Sequence, residues 1–297
     1  MSSPNNSLEL QMGYLLIFAF SFLGLAESIL LKTYAKKHGS GGMIMNAVIS
    51  LFAMFFFLIT DEGGFAVPLN MIPLAIANSL FYASGFYLSY MSYRCGPYGL
   101  TRLISSFSLI FTIFYGMFFL NEKTNVLTYL GIIMIFASLA LINYGKKEGN
   151  EEKRISKKWL ISILISTTAN GFIGILTRYQ QIKFDNSCTN EFLALSLGGS
   201  FLLLTIIGIL TERKNLRYIA RHGSLYGMSA GIINGAKNLA LVIAYLYVPL
   251  SIASPMHTGI GISLTFLTSL LFYREKYTKL QLIGVLLGAA AVIMLAC

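Results

Sequence analysis

Two charged side chains stand apart from the polar stretches of this chain, and in apolar surroundings an isolated charge marks where chemistry is to be sought. Glu27 ends an uncharged run that begins at Leu10, and Lys237 is followed by 36 uncharged residues, Asn238 to Tyr273. A charge near the centre of a bilayer costs ~2.5–3.5 kcal/mol on insertion scales, so each is a functional candidate by default. Phe20, Leu23, Gly24 and Leu31 stand at helical spacings from Glu27. There a carboxylate either couples protons or cations or makes a structural pair with Lys32 or a cation on a neighbouring helix. Lys237 sits amid Gly231, Asn234, Gly235 and Asn238, and Gly227, Gly231, Asn234, Asn238 and Tyr245 recur at three-, four- and seven-residue steps. Such a polar face must look at a cavity or another helix. A lysine on it either attracts a carboxylate or phosphate or counters Glu27.

Weaker candidates surround these two. Asn78, Tyr82, Gly85, Ser89 and Tyr93 make a similar stripe, and Asn170 with Gly171 and Gly174 is a further lining candidate. His257, beside Pro255, either relays protons or rests on a backbone carbonyl. Ser254, Thr258, Gly261, Thr265 and Thr268 fall three or four apart, a pattern that fits close helix packing better than a binding surface. Arg102 either meets an anionic substrate or reaches headgroups from a helix end. Tyr87, Tyr90 and Tyr93 are possible wall elements. Cys95, Cys188 and Cys297 are odd in number and widely spaced, giving neither a disulfide framework nor a metal site. Gly261-Ile262-Ser263 lacks the second glycine of a nucleophile elbow. His257 precedes Ser263 by six residues on the same helix, so the two fall on different faces. Neither an enzyme nor a cofactor is expected.

The elements that must hold these residues follow from composition. Of 297 residues 56% are hydrophobic and 11% charged, against roughly 25% charged in soluble domains. The charges cluster between uncharged runs near the ~20 residues a membrane helix needs. Turn chemistry separates helices expected at 12–34, 43–60, 72–94, 99–120, 125–144, 158–180, 191–210, 223–247, 250–273 and 278–296. Pro249 divides a run too long for one span. The net charge of +10 lies between the spans, where it meets lipid headgroups. The expected partners are therefore the bilayer and a small-molecule substrate, with no nucleic acid. Met1–Gln11 is polar without a basic leader region, so the first apolar stretch is expected to be a retained helix.

The most polar segment, 146–158, lies at the middle of the chain, and the sequence repeats across it. FFLNEKTNVLTYLG at 118–131 matches LFYREKYTKLQLIG at 271–284. This divides the chain into residues 1–145, a charged linker 146–158, and residues 159–297. The expected fold is all-α and polytopic, with ten transmembrane helices as two five-helix repeats, the second inverted because five is odd. Eighteen of the 22 basic residues fall at odd-numbered loops, which places the linker in the cytoplasm and both termini outside.

Leu120-Asn121-Glu122-Lys123 and Tyr273-Arg274-Glu275-Lys276, each before a glycine-bearing helix, resemble the "Leu-Gly-Glu" loops of the EamA-like branch of the drug/metabolite transporter superfamily. Val248-Pro249-Leu250-Ser251 with Pro255 resembles the family's proline-bearing helix. Phe22-Leu23-Gly24 and the segment from Gly171 to Arg178 resemble its opening helices. The resemblance implies a secondary transporter working by alternating access, and termini in the cytoplasm, opposite to the charge bias. The expected activity is movement, read as export, of an amino acid, organic acid or related zwitterion or anion, by a monomer or homodimer in a bacterial plasma membrane. Lys237, Asn234, Asn238, Asn78, Tyr82, Asn170 and His257 are the expected substrate contacts and Glu27 the coupling group. A non-transporting membrane receptor or assembly factor is the alternative.

Overall fold

The computed structural model describes residues 7–38, 42–61, 63–64, 66–95, 101, 104–105, 107–122, 125–144, 157–213, 216–272 and 278–296. Arg102, Glu275 and most of the charged linker lie outside these residues, as do the side chains of Lys32, Thr265 and Thr268. Among the described residues every regular element is helical. The helices are α1 (Ser7–His38), α2 (Gly42–Ile59), α3 (Ile72–Cys95), α4 (Ser108–Phe114), α5 (Val126–Tyr144), α6 (Lys157–Lys183), α7 (Thr189–Thr211), α8 (Leu216–Tyr247), α9 (Leu250–Phe272) and α10 (Lys279–Ala296). A π-helical turn, Tyr115–Phe119, extends α4. Six of the helices, α1, α2, α3, α6, α7 and α8, are long and apolar enough to cross a membrane, while α4, α5 and α10 carry shorter apolar segments.

The helices gather into two compact units, and each unit draws on both halves of the chain. The first contains α4, α5, α9 and α10 with the opening part of α1 and the closing part of α8. Within it α5 runs along α10, and small residues let the two approach. Ser138 donates to the Gly284 carbonyl at 2.6 Å, and a Cβ at Gly288 would lie 2.7 Å from the Ser138 hydroxyl. The second unit contains α2, α3, α6 and α7 with the rest of α1 and α8. There α2 lies along α7, and the hydroxyls of Ser50 and Ser200 meet at 3.3 Å.

A helix end explains the first copy of the loop motif. Asn121 adopts φ +50°, a left-handed conformation that costs a residue with Cβ about 1–2 kcal/mol, less for asparagine. Glycine would supply that geometry freely. The turn aims Glu122 at the start of α9, where its two carboxylate oxygens accept the Leu250 and Ser251 N–H groups at 3.0 and 2.8 Å. A Cβ at Gly116 would lie 2.5 Å from that carboxylate, so glycine leaves its path open. Pro249, at the cap position, offers no side-chain acceptor, and an anion from elsewhere in the chain satisfies the exposed amides and the helix dipole. Glu122→Leu is expected to cost about 1–2 kcal/mol. Faster hydrogen exchange at Leu250 and Ser251 together with a lower melting temperature would register it, and unchanged exchange there would contradict the capping role. In the second unit Glu212 does the same for α2, accepting the Met43 and Ile44 N–H groups at 3.3 and 3.2 Å.

Candidate functional site

Helix α1 has two faces. Leu8, Leu15, Phe18 and Phe22 are exposed at helical spacing, whereas Ile17, Ser21, Glu27 and Tyr34 are buried. An apolar exposed stripe suits lipid, and the opposite stripe must pack against protein. In the second unit that packing brings Tyr34 of α1 against Met45 and Ile49 of α2, Tyr90 of α3 and Ala230 of α8. Glu27 lies two turns before Tyr34 on this inward stripe.

Helix α8 meets α2 through glycines. A Cβ at Gly231 would lie 2.7 Å from the Ile49 carbonyl and the Phe52 Cβ, one at Gly227 2.7 Å from Val48, and one at Gly235 2.6 Å from Phe56. The polar face expected on this helix therefore divides. Gly227, Gly231 and Gly235 form an edge seated on α2, while Asn234 and Lys237 turn to Glu27 on α1.

There the charges pair. The Lys237 ammonium bonds Glu27 Oε2, and Asn234 Nδ2 donates to Glu27 Oε1 at 2.8 Å. Asn238 Nδ2 donates to Asn234 Oδ1 at 2.8 Å. The Glu27 side chain is 7% exposed and that of Lys237 19%. The orientation of both amides is fixed by their partners, because an ionised carboxylate only accepts. Two donors thus meet a single carboxylate, and a third stands behind Asn234. The arrangement can hold a proton on Glu27, exchange the lysine for a solute, or offer amides and ammonium to solute hydroxyls.

The pair occurs in one half only. Phe22-Leu23-Gly24 matches Phe172-Ile173-Gly174 at an offset of 150, which puts Thr177 in Glu27's place. Thr177 donates to its own helix at Ile173 O, 2.8 Å away. Gly85, which an offset of 152 sets opposite Lys237, instead leaves room for Asn170, whose Oδ1 would lie 3.2 Å from a Cβ there.

The remaining expected contacts have other described neighbours. Asn78 is buried and donates to the Ser196 hydroxyl at 3.2 Å, tying α3 to α7. Tyr82 is buried one turn before Phe86, their ring centroids 5.6 Å apart. Asn170 is exposed beside Gly85. His257 belongs to the first unit, where its ring meets Phe20 edge-on at 4.9 Å and its carbonyl accepts the Ser21 hydroxyl at 3.2 Å. Ser89 and Ser166, whose hydroxyls meet at 2.5 Å between α3 and α6, were half visible in sequence: Ser89 lies in the α3 stripe and Ser166 in no pattern. Beyond the apolar span of α1, burial pushes the Tyr34 phenol above its ordinary range, with Tyr90, Glu212 and Tyr218 adding to the shift. Among the described residues no three His, Cys, Asp or Glu side chains are grouped to hold a metal.

Comparison with known proteins bears on this geometry. The sequence model of the EamA-like transporter family matches residues 11–144 and again 157–297. A protein of Listeria monocytogenes named "Putative sugar uptake protein" is 25% identical over 198 residues, a match spanning 65% of this chain and 65% of its own length. A protein of Bacillus cereus with the same name is 23% identical over 267 residues, spanning 86% of this chain and 89% of its own. One crystal structure superposes with a TM-score of 0.73 at 13% identity, covering 98% of this chain and 96% of that one. At that identity the likeness shows the fold alone.

Proposed function

Because this chain belongs to the EamA-like transporter family and is a multi-pass membrane protein, we propose that it is a secondary transporter moving a small, polar, uncharged solute such as a sugar into the cell by alternating access. Ten spanning helices in two inverted repeats, 1–145 and 159–297 joined by the linker, are part of this reading. The observation that carries it is the Glu27–Lys237 pair with Asn234 and Asn238, a buried hydrogen-bonding group in helices long enough to span the membrane.

The pair changes the weight of two sequence expectations. Lys237 and Glu27 read from sequence favoured an amino acid, organic acid or related zwitterion or anion, but the ammonium is already neutralised by Glu27. A site of no net charge with amide and ammonium donors suits a polyhydroxylated solute better than an anion, and the relatives named above are described by sugar uptake. Uptake accordingly replaces export as the proposed direction. Glu27 remains the proposed coupling group.

Reconstituted protein would be assayed for labelled-solute counterflow with D-glucose, D-ribose, L-alanine and succinate, and for accumulation driven by a proton gradient. Saturable counterflow of a sugar is expected. Glu27→Gln should abolish driven accumulation while counterflow persists, reduced. Saturable binding without movement of any solute would favour the receptor alternative, and driven accumulation that survives Glu27→Gln would remove Glu27 from the mechanism.

A further inference from the structure

The chain of amides behind Glu27 has a direction, and the direction depends on the charge of Glu27. In the structure Asn234 Nδ2 faces Glu27 Oε1 and Asn234 Oδ1 faces Asn238 Nδ2, each at 2.8 Å. The half-buried Asn238 is left with Oδ1 as its outer group, which takes no hydrogen bond from a described residue. Both Glu27 oxygens accept, from Asn234 and from Lys237, as the oxygens of a carboxylate do. We propose that Asn234 and Asn238 form a two-residue relay that inverts when Glu27 takes up a proton, so that Asn238 presents an acceptor to the solute in one state and a donor in the other.

The steps follow from donor and acceptor inventory alone. A hydronium ion delivers its proton to Glu27 Oε1, forming an O–H bond and leaving water. Lys237 keeps all its protons and stays on Oε2. The new hydroxyl confronts Asn234 Nδ2, donor against donor, in a setting where an unmet polar group costs free energy. Rotating the Asn234 amide by half a turn puts Oδ1 on the hydroxyl and Nδ2 on Asn238. Asn238 must then turn as well, to accept through Oδ1, and its Nδ2 becomes the outer group. Asparagine performs this inversion without changing shape, because its amide is nearly symmetric in outline. Release of the proton to water reverses both rotations. A solute atom that can only accept, such as a ring oxygen, is held by the protonated state and refused by the ionised one. Proton and solute binding are then linked through a differential affinity.

The charged surroundings leave this to Glu27. Lys237 of α8 is its charged partner, and α2 carries no titratable side chain in its length Gly42–Ile59. Between Ile72 and Tyr93, α3 brings phenols only, before Arg94 and Cys95 at its end. On α1 the next titratable groups whose side chains are described, Tyr34, Lys37 and His38, come two turns or more further on.

The relay rests on the transport reading above, and its test separates the two. KM for whichever probe the wild type transports, from D-glucose, D-ribose, L-alanine and succinate, would be measured across external pH. Wild type is expected to show a KM that falls roughly tenfold as Glu27 becomes protonated. Asn238→Leu, of the same outline but without polarity, should transport more weakly at every pH with KM independent of pH. Asn238→Gln, which keeps an invertible amide, should restore the slope. If wild type moves none of the probes, the transport reading fails and the relay with it. If Glu27→Gln flattens the KM profile but Asn238→Leu retains the wild-type slope, transport stands and the relay is overturned.

Discussion

Lys237→Met alone should destabilise this protein more than Glu27→Gln and Lys237→Met together. Methionine leaves the Glu27 carboxylate 7% exposed, with Asn234 as its remaining hydrogen-bond donor. Removing one partner of a buried ion pair costs about 3–5 kcal/mol, because the surviving charge has lost its counterpart and cannot recover its hydration. The double variant removes both charges and keeps an amide at position 27 that Asn234 can still meet. It should recover most of the loss in melting temperature and in monodisperse yield from detergent. A coupling energy of several kcal/mol across the four proteins would reflect a direct pair. Additive losses would mean that the two charges answer to other groups, and the site would have to be rebuilt around those. This asymmetry also separates structure from transport. The double variant can be well folded and still fail to accumulate solute, since its carboxylate is gone.

How much of this was legible in the sequence depended on the kind of question asked. Helix existence was legible because the membrane demands long uncharged runs, and most expected helices fall within a few residues of their observed bounds, whereas α8 starts early at Leu216 and the described part of the helix expected at 99–120 is Ser108–Phe114 with its π turn to Phe119. Glu27 and Lys237 stood out for the same reason, as charges in apolar runs. Their mutual contact was left open against a substrate role for the lysine, because a separation of 210 positions in sequence says nothing about which helices adjoin. Periodicity located the inward faces but not what they face. A stripe of small and polar residues is equally suited to a cavity and to a close helix contact, and the α3 stripe shows the ambiguity resolved: Asn78 is spent on Ser196 of α7. Gly227 and Gly231 belong to packing as well, although they share a helix with the amides that meet Glu27. The role of Glu122 was hidden for a different reason. Sequence showed a glutamate recurring in a loop, suited to a helix end or to a salt link with Lys123, without saying which helix end it meets. Its observed partners are backbone amides of Leu250 and Ser251, and backbone donors leave no mark on side-chain identity.

The second large effect concerns how α8 is seated, since Asn234 and Lys237 reach Glu27 only while that helix lies tight on α2. Gly231→Val is expected to abolish transport and to lower thermal stability sharply. Even the Cβ of alanine at this position would lie 2.7 Å from the Ile49 carbonyl oxygen and 3.2 Å from its Cα, and backbone atoms cannot swing aside as a side-chain tip does. Overpacking of this kind costs about 1–3 kcal/mol and sometimes more, and valine adds two methyl groups to it. The helices would have to separate, carrying the amide relay away from α1. Glycine does not confer fragility in itself, and two positions serve as controls. A Cβ at Gly24 or at Gly261 meets nothing within 4 Å, so Gly24→Ala and Gly261→Ala should be neutral, or stabilising by up to about 1 kcal/mol through helix propensity. Melting temperatures of the three variants in the same detergent make the comparison. If Gly231→Val melted with the controls, α8 would not depend on close approach to α2, and the positioning of Lys237 would need another cause. A sharp loss at Gly231 against silence at Gly24 and Gly261 would tie the charge pair to the glycine edge that lets its helix come near.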